Sequence, residues 1–345
     1  MGNAARGGSP SSRRNVVRRP ADLRLCPEAT IETMRQLTLG RTGLRVSEIS
    51  LGTVELGLDY GIGVPGAPYR PPEAEASRLL NAALDMGVTC IDTARAYGTS
   101  ESLIGQAIAR RRDEFVLVSK TKTFHTEHAE PAERRAAMLA SVRESLRHLR
   151  VERLDLLLLH SSSAAELSEP LYAGVLEECR EKGWTRFTGA SVYGCEAALQ
   201  AIRSGRFDCL QVAWNALDRG VEAEVLPAAK ECGVGLMVRS VLMRGALTGR
   251  RSHLPAALAP VAKAAGELEA LALQTGMSLP ELAFRYILSQ EGPLTALVGT
   301  AWIEELAGAV QFAGSGPLPE EMMAAIRAIH VSDPSLLDLS RWPPV

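Results

Sequence analysis

The sequence predicts an α/β fold: a (β/α)8 TIM barrel with an N-terminal β-hairpin and a C-terminal extension. Two observations support this prediction. Short apolar runs that favour β-structure alternate with helical segments eight times along the chain. Several runs end abruptly in a polar or ionisable residue, which is typical of a parallel barrel, because the carboxyl ends of its strands face a shared mouth. The length of 345 residues suits one barrel of about 250 residues with extensions.

The first predicted elements are a hairpin, a strand and a helix. Residues 37–46 form the hairpin around the turn 40–43, which contains two glycines. Residues 49–53 form the first barrel strand, and residues 73–86 form a helix because apolar side chains recur along one side of it. Between them, the loop 61–72 is rich in proline and glycine. It is either a plain surface loop or a lip that contacts substrate.

The remaining seven strands follow from further apolar runs. The second, third and fourth strands end at Asp92, Lys120 and His160, and the fifth to eighth cover residues 184–190, 209–213, 235–239 and 295–298. Residues 131–147 form a helix between the third and fourth strands. The extension after residue 317 contains one more helix, residues 319–330, and a proline-rich end.

Composition predicts a cytoplasmic globular protein. Hydrophobic residues make up 46% of the chain, charged residues 23%, and the formal net charge is −2. That charge gives no reason to expect a nucleic acid or an anionic membrane as partner. No apolar stretch reaches the ~18–20 residues that a membrane span needs. The six cysteines form no Cys-x-x-Cys pair, so neither a disulfide framework nor a metal site is expected.

Two regions of the chain differ in character. Residues 1–33 contain six arginines among glycines and serines, and we predict a disordered basic tail there. The arginines are not followed by the apolar segment of an export signal. Residues 34–345 are predicted to form a single barrel domain.

Four residues at or near strand ends suggest the chemistry. Asp92, Tyr97, Lys120 and His160 would meet at the barrel mouth. A tyrosine can give a proton to a carbonyl oxygen, but its ordinary pKa of about 10 requires a nearby cation to lower it. Lysine supplies that cation, aspartate orients the lysine, and histidine can hydrogen-bond the same carbonyl oxygen. This set is suited to carbonyl reduction.

The motifs around these residues resemble the aldo-keto reductases. Asp92-Thr93-Ala94 is followed by Tyr97-Gly98 and Ser100-Glu101, and then by Lys120 and His160, over a match of about residues 37–310. The resemblance implies a barrel that binds a nicotinamide cofactor and reduces an aldehyde, ketone or sugar carbonyl to an alcohol. Residues 51–61, 189–193 and 239–242 also resemble a bacterial subgroup common beside sugar and polysaccharide genes.

The resemblance also implies how the chain holds its cofactor. Ser191 and Gln211 would grip the nicotinamide carboxamide, with Val192 where asparagine is usual. Arg239 stands in the place of a tyrosine that stacks on the ring, and a guanidinium can stack on an aromatic face as well. The other implied contacts toward the pyrophosphate and the barrel mouth are Gly52, Thr53, Ser240, Leu242 and Gly245.

At the adenosine end, the implied contacts are Gly299, Thr300 and Glu305. Family members that prefer NADPH place a cation here, and residues 299–309 contain none. A carboxylate beside the ribose favours a free 2′-hydroxyl over a 2′-phosphate. The cofactor therefore stays open between NADP(H) and NAD(H).

Two alternative functions remain at this stage. One is an NAD-dependent sugar dehydrogenase, suggested by Glu305 and the subgroup resemblance. The other is a cofactor-binding regulatory barrel without catalysis, which the complete set of four residues argues against. His125 and His128 are expected to be surface residues, Trp214 is a pocket or packing residue, and Trp342 is a candidate substrate contact. The sequence leaves the substrate and the oligomeric state open.

Overall fold

The computed structural model describes residues 34–64, 66 and 68–342. An antiparallel hairpin, β1 (Gln36–Thr38) and β2 (Arg45–Ser47), precedes a closed barrel of parallel strands. The barrel strands are β3 (Ile49–Gly52), β4 (Cys90–Asp92), β5 (Val116–Thr121), β6 (Leu154–Ser162), β7 (Thr185–Val192), β8 (Cys209–Ala213), β9 (Gly235–Arg239) and β10 (Leu294–Gly299). Each pairs with its neighbours in sequence, and β10 closes against β3. The predicted fold class is confirmed.

The hairpin seals the end of the barrel opposite the mouth. Its apolar side chains join an inner cluster of residues that fill the barrel: Leu39, Leu44, Val46, Cys90, Val116, Val118, Leu156, Leu158, Cys209, Met237 and Leu297. Gly40 has a φ of 53°, and a Cβ there would overlap the backbone of residues 233–235. Only glycine permits this close approach at a left-handed position. The Arg41 guanidinium reinforces the contact by donating to the Phe207 carbonyl at 2.8 Å.

The helices surround the barrel. They are α1 (Val54–Gly57), α2 (Glu73–Asp85), α3 (Ser100–Ala107), α4 (Pro131–Leu149), α5 (Ala164–Ser168), α6 (Pro170–Glu181), α7 (Gly194–Arg203), α8 (Val225–Cys232), α9 (Ala259–Gln274), α10 (Leu279–Leu288), α11 (Ile303–Gly314) and α12 (Glu320–Ala328). In α2, Ala76, Leu79, Leu80 and Ala83 are fully buried at helical spacing. Each such leucine contributes roughly 1.5–3 kcal/mol by burial, so packing against the strands stabilises the helix.

Several strand ends differ from the prediction by one or two residues, and two of these differences lie at predicted site residues. The third barrel strand, β5, runs one residue past Lys120, and the fourth, β6, continues through His160 to Ser162. The pairing of β6 with β7 shifts between Leu159 and Ser162, and Ser161 has a φ of 57°. A bulge of this kind redirects a side chain without ending the strand. The ionisable residue after each of these apolar runs therefore lies at the barrel mouth, as predicted. It does not mark the last residue that pairs with the neighbouring strand.

The C-terminal extension is attached to the rim of the barrel. Arg219 donates to the carbonyls of Arg327 and Ile329, and Arg244 donates to that of Leu339 at 3.4 Å. The predicted tail, residues 1–33, lies outside the described residues, so the boundary at residue 34 stays a prediction. Among the helices that the structure describes, none is long and apolar enough to cross a membrane.

Candidate active site

The polar residues at the mouth continue the inward faces of the strands. Because side chains along a strand alternate between two faces, residues two positions apart share one face. In six strands, an inner-cluster residue is followed two positions later by a predicted site residue. These pairs are Cys90 and Asp92, Val118 and Lys120, Leu158 and His160, Cys209 and Gln211, Met237 and Arg239, and Leu297 and Gly299. The strand period thus places the site residues above the core.

Lys120 is the centre of the predicted catalytic set. Its Nζ donates to Asp92 Oδ2 at 2.7 Å and to the Thr93 carbonyl at 2.8 Å, and it lies 3.4 Å from the Tyr97 hydroxyl. The rings of Tyr97 and His160 meet edge to face, with their centroids 5.4 Å apart. All four predicted residues are therefore brought together.

Buried hydrogen bonds hold this arrangement in place from behind. Gln211 Nε2 donates to Asp92 Oδ1 at 3.0 Å, so both carboxylate oxygens of Asp92 are engaged. Thr53 Oγ1 donates to the Asp92 carbonyl at 2.9 Å, and Ser100 Oγ donates to Thr53 Oγ1 at 2.7 Å. Satisfied buried networks restrict side chains to one conformation, which fixes the direction of the Asp92 carboxylate.

The Asp92–Lys120 pair is almost completely buried, with side-chain exposures of 4% and 0%. Burial raises the pKa of Asp92 and lowers the pKa of Lys120, and the attraction between the two charges opposes both shifts. At 2.7 Å, with a second acceptor at the Thr93 carbonyl, the charged pair is the form that satisfies these groups.

Tyr97 differs from the sequence-based expectation. Burial, and after it the charge of Asp92, raises the pKa of Tyr97 well above its ordinary value, while Arg239 acts in the lowering direction. The lowered pKa that we expected from a nearby cation is not the net result, because burial, the largest cause, disfavours the charged phenolate. Tyr97 is thus held as a neutral phenol with a proton to donate.

His160 is a neutral imidazole at physiological pH. Burial, followed by the charges of Lys120 and Arg239, lowers the pKa of His160 to about 3. A neutral imidazole offers one N–H donor and one acceptor nitrogen. His160 can therefore hydrogen-bond a carbonyl oxygen beside Tyr97 without competing as a proton donor.

The residues predicted to contact the nicotinamide surround this centre. Ser191 and Gln211 are buried on adjacent strands and are paired in register. Val192 is also buried. Arg239 donates to the Val192 carbonyl at 3.1 Å, and its guanidinium lies 4.2 Å from the centroid of the Tyr193 ring. Sequence analysis missed Tyr193 as the aromatic partner of Arg239.

The predicted pyrophosphate segment follows β9 at the rim. Ser240 and Gly245 have positive φ values of 63° and 104°, and Leu242 is half-buried between them. Gly52 ends β3 opposite Gly299, while Thr53 belongs to the hydrogen-bond network behind Asp92. Thr53 thus helps to hold the predicted catalytic set in place.

An open cleft lies at the predicted adenosine end. Its lining residues include Glu55, Tyr60, Arg250, Gly299, Thr300, Trp302 and Glu305. Arg250 Nη2 donates to Glu305 Oε1 at 2.9 Å, and Thr300 Oγ1 donates to Glu305 Oε2 at 2.5 Å. Residues 299–309 contain no cation, but Arg250 reaches Glu305 from the loop after β9. Glu55 was also missed, although it lies just three residues after the end of β3.

Several further predictions can be compared with the structure. The Trp214 indole is buried and donates to Glu222 at 3.0 Å, which is a packing role. The Trp342 indole is buried and donates to the Leu336 carbonyl at 2.7 Å, within the C-terminal extension itself. From the loop 61–72, Tyr69 and other residues line the cleft, so this loop is more than a plain surface turn. Among the described residues, no group of three potential ligands is placed to hold a metal ion.

Comparisons with known proteins give a consistent result. Residues 48–331 match the model of the aldo/keto reductase family. The aldo-keto reductase YhdN of Bacillus subtilis is 31% identical over 288 residues, covering 77% of this chain and 85% of that protein. An NADH-specific methylglyoxal reductase of Escherichia coli is 25% identical over 312 residues, covering 79% of this chain and 91% of the relative. The holo form of the aldo-keto reductase AKR11C1 from Bacillus halodurans superposes with a TM-score of 0.70 at 25% identity, covering 86% and 96% of the two chains.

Proposed function

The chain belongs to the aldo/keto reductase family of NAD(P)H-dependent oxidoreductases of carbonyl groups, and we propose that Asp92, Tyr97, Lys120 and His160 carry its reaction. The observation that supports this assignment is the position of the Lys120 ammonium. It lies 2.7 Å from Asp92 Oδ2 and 3.4 Å from the Tyr97 hydroxyl. One buried cation is thus shared between an orienting carboxylate and a proton donor.

Each side chain has a distinct role in the reduction. Tyr97, held as a neutral phenol, donates its proton to the carbonyl oxygen of the substrate. Lys120 stabilises the phenolate that remains, because its charge lies beside the same oxygen. Asp92 keeps Lys120 charged and fixed. His160, as a neutral imidazole, directs an N–H toward the carbonyl oxygen and holds it within reach of Tyr97.

The residues at the mouth are compatible with a nicotinamide cofactor. Gln211 uses one N–H on Asp92, and its carbonyl oxygen remains the end that can accept from a carboxamide. The Arg239 guanidinium is planar, Tyr193 covers one of its faces, and the second face would stack on the nicotinamide. When bound, the reduced nicotinamide supplies the hydrogen and electron pair that the carbonyl carbon receives.

The substrate that we propose is a small aldehyde, ketone or sugar carbonyl. The relative from Escherichia coli is named as an NADH-specific methylglyoxal reductase, so methylglyoxal with NADH is a reasonable first assay. Oxidation of a free aldose with NAD tests the opposite direction. These assays address substrate and direction, which the four catalytic residues do not specify.

The assignment of Tyr97 is tested by Tyr97→Phe, which removes the proton donor and keeps the ring. We expect kcat to fall by about 10²–10⁴-fold, while the Kd for the cofactor changes little. Tyr172→Phe is the matched control, because Tyr172 is buried outside the barrel and donates no proton at the mouth. Retention of full turnover by Tyr97→Phe would refute the assignment. Binding of cofactor without turnover in the wild type, across a panel of carbonyl compounds, would favour a regulatory barrel instead.

A further inference from the structure

Glu55 is a carboxyl group in the cleft that the catalytic residues do not use. It lies in the short helix α1, directly after the first barrel strand. Its Oε2 is shielded from solvent and has no hydrogen-bond partner within the described part of the chain. A Cβ built on Gly299 would lie 2.7 Å from Oε1 and 3.0 Å from Oε2. The carboxyl group therefore occupies the space beside the end of β10 that any larger residue at position 299 would take.

Glu305, the other carboxylate of the cleft, is already compensated. One of its oxygens accepts from Arg250 and the other from Thr300. Leaving a buried acceptor without a donor costs about 1–3 kcal/mol, more when it is charged. When ionised, Glu55 is thus the carboxyl group in this cleft that gains most from a ligand that offers a hydrogen-bond donor. A phosphate at this position offers none and adds negative charge.

The cleft lies within reach of the catalytic residues. Gly299 is paired in register with Gly52, and Gly52 with Asp92. Neighbouring strands are about 4.8 Å apart, so Gly299 lies roughly 10 Å from Asp92 across the mouth. A dinucleotide whose nicotinamide lies beside Tyr97 can therefore extend to this cleft.

We propose that Glu55 accepts a hydrogen bond from a ribose hydroxyl of the bound dinucleotide and thereby makes the cleft select NAD(H) over NADP(H). This inference rests on the proposed function, because it assumes that the mouth binds a nicotinamide cofactor. It transfers the role of discriminator from Glu305, which sequence analysis favoured, to Glu55. Among the described residues that line this cleft, two carboxyl groups face one guanidinium, that of Arg250, so a 2′-phosphate meets an excess of negative charge there. The Arg244 guanidinium lies behind the lining, 5.0 Å from the centroid of the Tyr60 ring.

The same geometry couples cofactor binding to the ionisation of the Glu55 carboxyl group. Burial raises the pKa of Glu55 to about 7; Glu305 also raises it, while its own backbone N–H and Arg250 lower it. The other ionisable groups that face it are Tyr60 and Tyr97. A hydroxyl donor favours the carboxylate, so NADH binding should lower this pKa and release a proton. Affinity for NADH should therefore rise from pH 6 to pH 8, and affinity for NADPH should fall or stay level.

The test is a titration of the purified full chain with NADH and NADPH at pH 6 and pH 8, following tryptophan fluorescence. Trp302 lines the cleft and is a local probe. We expect tighter NADH binding in the wild type. We expect Glu55→Gln to weaken NADH binding about 10-fold at pH 8, since hydrogen bonds to charged groups contribute that much, and to abolish its pH dependence. Glu55→Asp should keep the pH dependence, and Glu304→Gln, an exposed position on α11, should behave as wild type.

Three outcomes would overturn the inference. They are tighter NADPH binding in the wild type, an unchanged NADH to NADPH ratio in Glu55→Gln, and an unchanged pH dependence in that variant. Circular dichroism of each variant checks that it is folded. A wild-type protein that binds neither nucleotide would refute the proposed function itself, and this inference with it. A wild-type protein that binds NADH and NADPH equally well, and that loses turnover in Tyr97→Phe, would refute this inference and leave the proposed function standing.

Discussion

Replacing Asp92 with asparagine removes the charge partner of a fully buried lysine. The two charged atoms lie 2.7 Å apart, and the Lys120 side chain is 0% exposed. At an effective dielectric constant of about 20, their attraction is about 6 kcal/mol, and part of it offsets the cost of burying both charges. Breaking a buried pair by removing one partner typically costs about 3–5 kcal/mol. We expect Asp92→Asn to lower the free energy of unfolding by that amount at pH 7.

The pH dependence of this loss identifies its cause. Without Asp92, the pKa of Lys120 in the folded protein falls further below its value of about 10.4 in the unfolded chain. The unfolded chain then binds more protons between these two values, so stability rises with pH in this window. Urea denaturation of Asp92→Asn at pH 7 and pH 9 should show a partial recovery that exceeds any change in the wild type. Asp113→Asn, at an exposed position, is the control.

A double variant separates stability from catalysis. Combining Asp92→Asn with Lys120→Met removes both charges and keeps the approximate volume of the lysine, so it should be more stable than Asp92→Asn alone. It should have no more turnover than the single variant, because Tyr97 has lost its cation. A loss of less than 1 kcal/mol in Asp92→Asn, with no gain in the double variant, would show that this pair does not carry the charges assumed here.

Two other perturbations test the geometry around Tyr97. A Cβ at Gly57 would overlap the Tyr97 carbonyl oxygen, so Gly57→Ala should displace the loop that contains Tyr97, lower kcat at least tenfold and lower the Tm. Gly174→Ala is the control, because a Cβ there meets nothing within 4 Å. Unchanged kinetics in Gly57→Ala would contradict this prediction. Because the pKa of His160 is lowered to about 3, the pH profile of kcat should lack a histidine ionisation between pH 5 and pH 8. An ionisation near pH 6.5 that disappears in His160→Gln would show that the imidazole is not buried as described.

The strand residues of the proposed site could be placed at the mouth because their geometry follows from a simple period, whereas Tyr97 lies in the loop after β4. Once the strands are located, residues two positions beyond an inward apolar residue must face the mouth, as Lys120 does after Val118 and Gln211 after Cys209. The family resemblance then supplied the expected chemistry of each position. The prediction did not require the three-dimensional positions of the strands, because all strands of a parallel barrel have their carboxyl ends at the same face.

Properties that depend on burial and on long loops could not be predicted. The pKa of Tyr97 is the balance of a desolvation penalty and several charges, and a residue pattern shows the charges but not the penalty. Arg250 and Arg251 are adjacent in sequence, but Arg250 pairs with Glu305 on α11 and Arg251 with Glu269 on α9. The conformation of the turn that contains both arginines decides which of them enters the cleft. A loop has no regular repeat of side-chain directions, so the sequence does not show this choice.

The charges at the mouth also explain why Glu55 is expected to dominate the pH dependence of cofactor binding. Lys120 compensates Asp92, Arg250 compensates Glu305, and His160 stays neutral because its pKa is far below physiological pH. Tyr97 keeps its proton throughout this range. Of the groups that line the cleft or the catalytic centre, Glu55, with a pKa of about 7 and an oxygen without a donor, is left to titrate near neutrality. Outside them, burial raises the pKa of Asp218, in the loop after β8, to about 6. The Kd for the cofactor should therefore depend on pH between 6 and 8. The rate of the chemical step at saturating cofactor should be nearly independent of pH in the same range.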